Sequence, residues 1–583
     1  VTTTFGAVPG TEGRTPESDG GSSGGPRTVD TWLGGGAVLA TVHDPGSAAT
    51  TGVVICPPLG YEYAVAYRTL RHLADRIAET AALPVVRFDY PGLGDSTAEL
   101  TLESFEAGPR LAAEALRRAG CAGVVYLGLG SGALVAAAAA ARDPESRGLA
   151  LWDPAASGRQ WLRRQRSLYA IEVGPDAEQA PDGVVMIAGA ELPDAVAARI
   201  AALDYDPTVA ERLPTLLAVR QGPSGTVPKA LRTVADRLDL VEVPGHEDSL
   251  DMSSITASIP AQSVASVAEW FAARFGAGEG DGPSGVEFTA PDPEDRVTFV
   301  HDGLPLEERL VRVGPHRLFA VETRPAAGPE DLPVVVLHNG SAEHRVGASR
   351  HQVELARRLA TRGIRALRVD RRGTGESGAV TPDEPSLLFT REWLEDGRDV
   401  VAGLGLPRER IGIAGMCVGG WVGLVGTPDS VAFVAALSLN DHRVRPQEPR
   451  PTGVVAPVAP TDAAPVGRAD RLVAVAKRRL PYRILLAAAS RGRIRFAEPN
   501  LRRALAAGTD VLVLIGPEDV AVFEEHGGRK AVERLRGLPG TLTMVERPTG
   551  DHALYSPAIR RAAIDETVAL AERAFGIGAD DRR

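Results

Sequence analysis

Short apolar runs alternate with longer amphipathic stretches along most of the chain. Val53–Cys56, Val124–Leu129, Val334–Leu337, Ile411–Ala414 and Val511–Ile515 are rich in β-branched residues and read as buried strands. Each is followed by a Gly-rich turn and then by an Ala-, Leu- and Arg-rich helical stretch. This alternation predicts a parallel sheet with helices on both faces. The pattern fails in two places. Residues 1–30 are rich in Gly, Ser, Thr and Pro without a period, the composition of a disordered tail. Residues 276–294 contain GAGEGDGPSG and PDPE, the composition of a linker. Domains are therefore expected at 31–275 and 295–578.

The two halves are copies. RFDYPGLGDS (Arg87–Ser96) becomes RVDRRGTGES (Arg368–Ser377) at an offset of 281, and VVIC at Val53 becomes VVVL at Val334 at the same offset. VVYLGLGSGA (Val124–Ala133) becomes IGIAGMCVGG (Ile411–Gly420) at 287, and Asp153 falls on Asn440 at 287. Near-constant offsets over separate elements mark one fold used twice.

Composition narrows the class. Of 583 residues, 44% are hydrophobic and 24% charged, the mix of a globular protein. The longest near-apolar stretch, Ala133–Ala141, is too short to span a bilayer. A net charge of −11 argues against nucleic acid as a partner. Three cysteines cannot build a disulfide framework, and no charged and apolar leader opens the sequence, so a cytoplasmic location is expected. No His/Cys/Asp cluster has metal-ligand spacing and no P-loop appears, so neither a metal nor a cofactor is expected.

The second copy carries a reactive constellation. Gly415-Met416-Cys417-Val418-Gly419 follows a strand and opens a small-residue helix, Gly420–Val425. This is a G-x-Nu-x-G elbow, in which small residues permit the tight turn that exposes the nucleophile. A helix N-terminus also favours a thiolate. A buried structural cysteine is the plainer alternative. VLVLIGPED places Asp519 at the end of a strand, and GDHALYSP places His552 in a loop beyond it. Nucleophile, acid and histidine in this order suit a triad in which Asp519 orients His552 and His552 activates Cys417. The backbone N–H of Val418, with that of Asn339 or Gly340 in VVVLHNGS, would form an oxyanion hole. Gly373 and Gly375 would shape a loop beside the site.

These motifs, with CPPLGYE, FDYPGLGDS and LWDP in the first copy, make the chain resemble the α/β-hydrolase superfamily. The resemblance is closest to the serine-aminopeptidase-like and exosortase-system-associated hydrolases. It implies two tandem α/β-hydrolase domains, each a mostly parallel sheet flanked by helices with an inserted cap. Cys417 departs from the serine of most members. Cysteine elbows occur in dienelactone hydrolases and some thioesterase domains, so the resemblance implies esterase, thioesterase or acyltransferase chemistry equally.

The first copy lacks that chemistry. Gly130 stands at the nucleophile position and Gly225 at the acid position, and only a histidine persists, His246. It reads as a degenerate domain. Two alternatives stand beside this: Ser131 as a shifted nucleophile, and a dinucleotide fingerprint in Gly128–Ala133 with Asp153 as its acid.

The inserts differ in charge. The second copy's cap, about 441–508, holds 14 Lys/Arg against 5 Asp/Glu, including Lys477, Arg478, Arg479 and Arg483. The first copy's insert, 152–213, has 6 against 10. A basic cap suits an anionic acyl donor such as coenzyme A or an acyl carrier protein. A solvated or internally paired basic face is the alternative. The expected function is acyl transfer or hydrolysis of an ester or thioester through Cys417. The rival classes are a non-catalytic tandem scaffold and a dinucleotide-binding protein.

Overall fold

The computed structural model describes residues 26–174, 176, 180–222, 225–245, 249–251, 257–276, 288–341, 343–380, 388–439, 441–446 and 480–577. In the first copy the strands are β1 (Arg27–Leu33), β2 (Val38–Asp44), β3 (Thr51–Cys56), β4 (Val85–Phe88), β5 (Gly123–Leu129), β6 (Ser146–Trp152), β7 (Val184–Ile187), β8 (Ala190–Pro193), β9 (Thr215–Arg220) and β10 (Asp239–Val243). In the second they are β11 (Arg296–His301), β12 (Leu304–Val313), β13 (Leu318–Pro325), β14 (Val334–His338), β15 (Arg365–Val369), β16 (Ile411–Met416), β17 (Phe433–Leu437), β18 (Asp510–Ile515) and β19 (Leu542–Glu546).

The fold is α/β, with two large, mostly parallel sheets flanked by helices. The first sheet runs β1-β2-β4-β3-β5-β6-β9-β10 and the second β11-β12-β13-β15-β14-β16-β17-β18-β19. Without β11 the two orders are the same. In both, the leading strands are antiparallel and the six that follow are parallel. The central strands β3, β5, β14 and β16 are buried throughout, as expected of parallel strands covered by helices on both faces.

Three expectations shift. Residues 27–30, expected in the tail, belong to the fold: β1 begins at Arg27 and pairs with β2. Residues 288–294, expected within the linker, pack on the first copy: Phe288 is buried in its core, and Glu294 exchanges backbone and side-chain hydrogen bonds with Trp32 and Thr31. The register also moves one alignment. Val53 pairs with Val85 and Val125, whereas Val335, not Val334, pairs with their counterparts Ala366 and Gly412. The third strand of each copy is therefore related by 282.

The copies join through a pseudo-twofold interface. Arg87 donates to Glu376 at 2.8 Å. Their counterparts at +281 and −281, Arg368 and Asp95, make the reciprocal ion pair. Arg71 donates to the carbonyls of Gly375 and Gly378, and Arg350 donates to those of Gly94 and Ser96. The same surface serves on both sides, as in a twofold dimer fused into one chain. Arg345 adds a 2.7 Å contact to Asp95 and another to Asp370. Burial opposes the charge on Asp95, but the guanidiniums of Arg345 and Arg368 outweigh it and hold the carboxyl well below the usual range.

Apolar contacts continue the join. Tyr169, Val173, Met186 and Ala188, from the first copy's insert, belong to the main hydrophobic core of the second. In the second copy's cap, residues 447–479 lie outside the described residues; the part that is described forms the helices Tyr482–Ser490 and Glu498–Ala506.

Candidate active site

The elbow is built by steric exclusion. β16 delivers Cys417 into a turn with φ 49° and ψ −112°, a strained region for a side-chain-bearing residue. A Cβ at Gly415 would run into Gly419, and one at Gly419 would run into the carbonyl oxygen of His338. No larger residue fits at either place. The expected small-residue helix is one α-helical turn, Val418–Trp421, followed by a π-helical turn, Val422–Gly426. Cys417 is buried, and its N–H donates to the Leu437 carbonyl at the end of β17.

Asp519 and His552 meet at this elbow. Asp519 does not end β18 as expected. It sits in the first turn of the helix Pro517–Glu525, which Gly516 and Pro517 start directly after the strand. His552 Nδ1 lies 2.7 Å from Asp519 Oδ1. Asp519 is buried, while the His552 side chain keeps 24% exposure. Burial lowers the basicity of His552, but hydrogen bonds to Asp519 and to Cys417 outweigh it and raise its pKa well above that of a free imidazole. Cys417, His552 and Asp519 therefore form one connected set.

The histidine loop is braced twice. The Asp551 carboxylate accepts from the N–H groups of Tyr555 (2.9 Å) and Ser556 (2.7 Å). From the first copy, Asp176 accepts from the Ser556 hydroxyl, and Glu191 pairs with Arg560.

The loop after β14 lies against the elbow. Gly340 packs so closely that a Cβ there would come 2.6 Å from Met416 Cε and 3.9 Å from Cys417 Cβ. The Asn339 side chain turns away and donates to the Glu343 carbonyl at 3.0 Å. Val418 is fully buried.

Arg371 and His442 escaped the sequence reading. Arg371 is fully buried, stacks on Trp393 with its guanidinium carbon 3.3 Å from the ring centroid, and donates to the Ser341 carbonyl. Burial holds its pKa down at about 9, against the attraction of Asp396 and Cys417. The adjacent arginines of VDRRGTGES were its only signal. Burial likewise takes His442, which feels Asp441 and Asp519, down to about 4.

The corresponding place in the first copy is filled. Gly130 has φ +59°, and the carboxylate of Glu62 stands 3.3 Å from where its Cβ would be. Trp161 and Gln165 donate to that carboxylate at 3.1 and 2.8 Å. The Ser131 hydroxyl accepts from the Leu59 N–H at 2.9 Å and donates to Glu62 at 3.5 Å. Gly225 packs on the Arg220 carbonyl. Asp153, the acid of the dinucleotide reading, is held by Arg220 through contacts of 2.7 to 3.0 Å. That arrangement gives a dinucleotide no support. His246 and Asn440 lie outside the described residues.

Of the basic cap residues, Arg483 is exposed on its helix, and Lys477, Arg478 and Arg479 lie outside the described residues. Arg495 pairs with Asp441, and Arg502 with Glu498, so part of the cap's charge is answered internally. Among the described residues, no group of three or more His, Cys, Asp or Glu is placed to hold a metal ion, and no helix is long and apolar enough to cross a membrane.

No protein-family model matches the chain, and no curated protein matches it. Among solved structures the chain is similar to TT1662 from Thermus thermophilus, at 17% identity over 46% of this chain and 98% of that one, with a TM-score of 0.28. It is similar to mouse alpha/beta hydrolase domain-containing protein 10, at 14% identity over 48% of this chain and 98% of that one, with a TM-score of 0.27. It is also similar to the acylaminoacyl peptidase of Pyrococcus horikoshii, at 14% identity over 47% of this chain and 42% of that one, with a TM-score of 0.30.

Proposed function

We propose that the second copy is a cysteine-dependent acyl-transfer enzyme acting on an ester or thioester. The geometry that carries this reading is His552, held by Asp519 through Nδ1 at 2.7 Å and set beside Cys417 at the elbow. A protonated imidazole beside the sulfur is the counter-ion a nucleophilic thiolate needs.

The steps follow from that pairing. The Cys417 thiolate attacks the acyl carbon and forms a C–S bond, and the carbonyl oxygen takes the negative charge. As the C–O or C–S bond to the leaving group breaks, His552 gives that group its proton. Water, an alcohol or an amine then attacks the acyl-cysteine, His552 takes the incoming proton, and sulfur leaves as thiolate. Asp519 keeps Nδ1 protonated, so Nε2 faces the sulfur throughout.

The oxyanion donors in this reading are the N–H groups of Val418 and Ser341, not of Asn339 or Gly340. Leu59 N–H, which binds the Ser131 hydroxyl in the first copy, corresponds to Ser341 at the register offset of 282, and Ser131 corresponds to Val418. Valine brings no oxygen into that hole. Arg371 would be a positioning residue that fixes the loop through the Ser341 carbonyl.

The first copy is a non-catalytic partner in the same proposal, since Glu62 and Ser131 fill its site. An anionic donor such as coenzyme A or a carrier protein would approach along the basic stretch 477–483. The decisive experiment is intact-protein mass after incubation with acyl-thioesters and activated esters. An acyl increment mapping to Cys417, absent in Cys417→Ala, supports the reading. No increment and no turnover across the panel overturns it.

A further inference from the structure

The segment that carries His552 holds a conformation it would not keep alone. Leu554, two residues beyond the histidine, has φ 60°, in the left-handed region that disfavours a side chain. Such a residue persists only where its surroundings fix it. Close packing does not do this by itself. Tyr555 borders a cavity of about 230 Å³ that Tyr61 and Glu191 of the first copy also line. Polar contacts fix the segment instead. Asp551 supplies one set from within, by accepting from the N–H groups of Tyr555 and Ser556.

The other contacts come from the first copy. Ser556 precedes the helix Pro557–Phe575, a place where a serine hydroxyl ordinarily accepts from the first N–H groups of its own helix. Here it makes no such cap and donates to Asp176 at 3.1 Å. Both side chains are buried. Glu191, on β8, pairs with Arg560. Arg560 in turn donates to the carbonyls of Leu554 at 3.2 Å and Tyr555 at 3.1 Å. Glu354 of the second copy shares that guanidinium at 3.3 Å. Tyr169 and Val173, from the helix Gly158–Val173 of the same insert, pack in one apolar cluster with Leu554, Tyr555 and Cys417. The first copy thus reaches the strained segment by two polar routes, through Ser556 and through Arg560.

We infer that Asp176 and Glu191, carboxylates of the degenerate copy, are positioning residues for His552. This role rests on the pairing of His552 with Cys417 proposed above. Neither carboxylate touches a reacting atom; each acts through a neighbour on the histidine segment. The imidazole must keep its 2.7 Å contact with Asp519 while it faces the sulfur. A misplacement of about 1 Å in such an arrangement costs about 10²-fold in rate. Asp519 and Arg371 are the charged groups that face the pair, and Glu172 of the insert faces Asp551 and Glu518 beside it. Both copies therefore build the site, and the copy without a nucleophile has a function in the chemistry of the other.

The test uses the full chain and two measurements. Alkylation of Cys417 by iodoacetamide is followed by mass spectrometry at pH 7, where the thiolate depends on the imidazolium, and at pH 10, where hydroxide alone forms it. Asp176→Ala, Ser556→Ala and Glu191→Ala are each expected to slow alkylation at pH 7 about tenfold and to leave the rate at pH 10 unchanged. Asp176→Ala combined with Ser556→Ala should be no slower than either alone. Asp176→Asn, which keeps an oxygen for the Ser556 hydroxyl, should retain most of the wild-type rate. If Asp176→Ala does not fold, Glu191→Ala carries the test, since that side chain is partly exposed. The second measurement is the titration of His552 by NMR in Cys417→Ala. There Asp176→Ala, or Glu191→Ala in its place, is expected to move the midpoint down, toward that of a free imidazole. Equal slowing at both pH values, no slowing, or an unmoved midpoint overturns the inference. The midpoint needs neither sulfur nor an acyl group. Failure of the acyl-transfer reading, seen as a Cys417 that takes no acyl group, is therefore distinct from failure of this one.

Discussion

Arg87 of the first copy donates to Glu376 of the second at 2.8 Å, and Arg368, 281 residues after Arg87, returns the contact to Asp95. All four side chains are buried. In such a place the loss of one partner matters more than the worth of the pair. An uncompensated buried charge costs about 3–5 kcal/mol, whereas an apolar replacement of both partners is often neutral.

Asp95→Asn is therefore expected to lower unfolding free energy by about 3–5 kcal/mol. Asp95→Leu combined with Arg368→Met should recover part of that loss, measured by urea denaturation. The carboxyl is held below its usual range, so its stabilisation is present above the ordinary aspartate pKa and disappears as pH falls through the depressed one. The difference between wild type and Asp95→Asn should shrink in acid.

Asp519→Asn removes the anion that orients His552. The acylation rate of Cys417 by an activated thioester should fall about 10²-fold or more, read by stopped-flow or mass spectrometry. Cys417→Ala should abolish the adduct.

The His552–Asp519 contact also predicts a pH dependence of stability. The folded pKa of His552 is raised, so its contribution is fully present below the unfolded value of about 6.5 and is lost as pH rises through the folded value. His552→Gln should lower Tm more at pH 6 than at pH 10. Equal loss at both would contradict the assignment.

Gly130→Cys in a Cys417→Ala background restores a thiol to the first copy's elbow. It should remain unacylated, because Glu62 stands beside that position and Gly225 offers no acid. The same mass assay checks this.

Much of the site was legible because its rules are local. Gly415 and Gly419 flank Cys417 because no Cβ fits there, and a strand–turn–helix of this tightness leaves that mark in any sequence. Asp519 and His552 were readable from their order along the chain. What blurred was register. Val334–His338 is buried throughout, so it carries no alternation to fix its alignment, and the offset of 281 read along the chain is 282 in the paired strands.

Taken by itself, the sequence determined the alternating elements, the duplication, the tight glycine-flanked turn and the glycine at 130 where the second copy has Cys417, each a matter of neighbouring residues or of one repeat laid on another. The tertiary structure alone decided that Glu62 stands beside Gly130, that Arg87 and Arg368 exchange partners across the copies, and that a cavity opens between Tyr61 and Tyr555. The reason is physical. These contacts join residues brought together only when two complete sheets dock, and no periodicity along the chain records how one folded surface meets another.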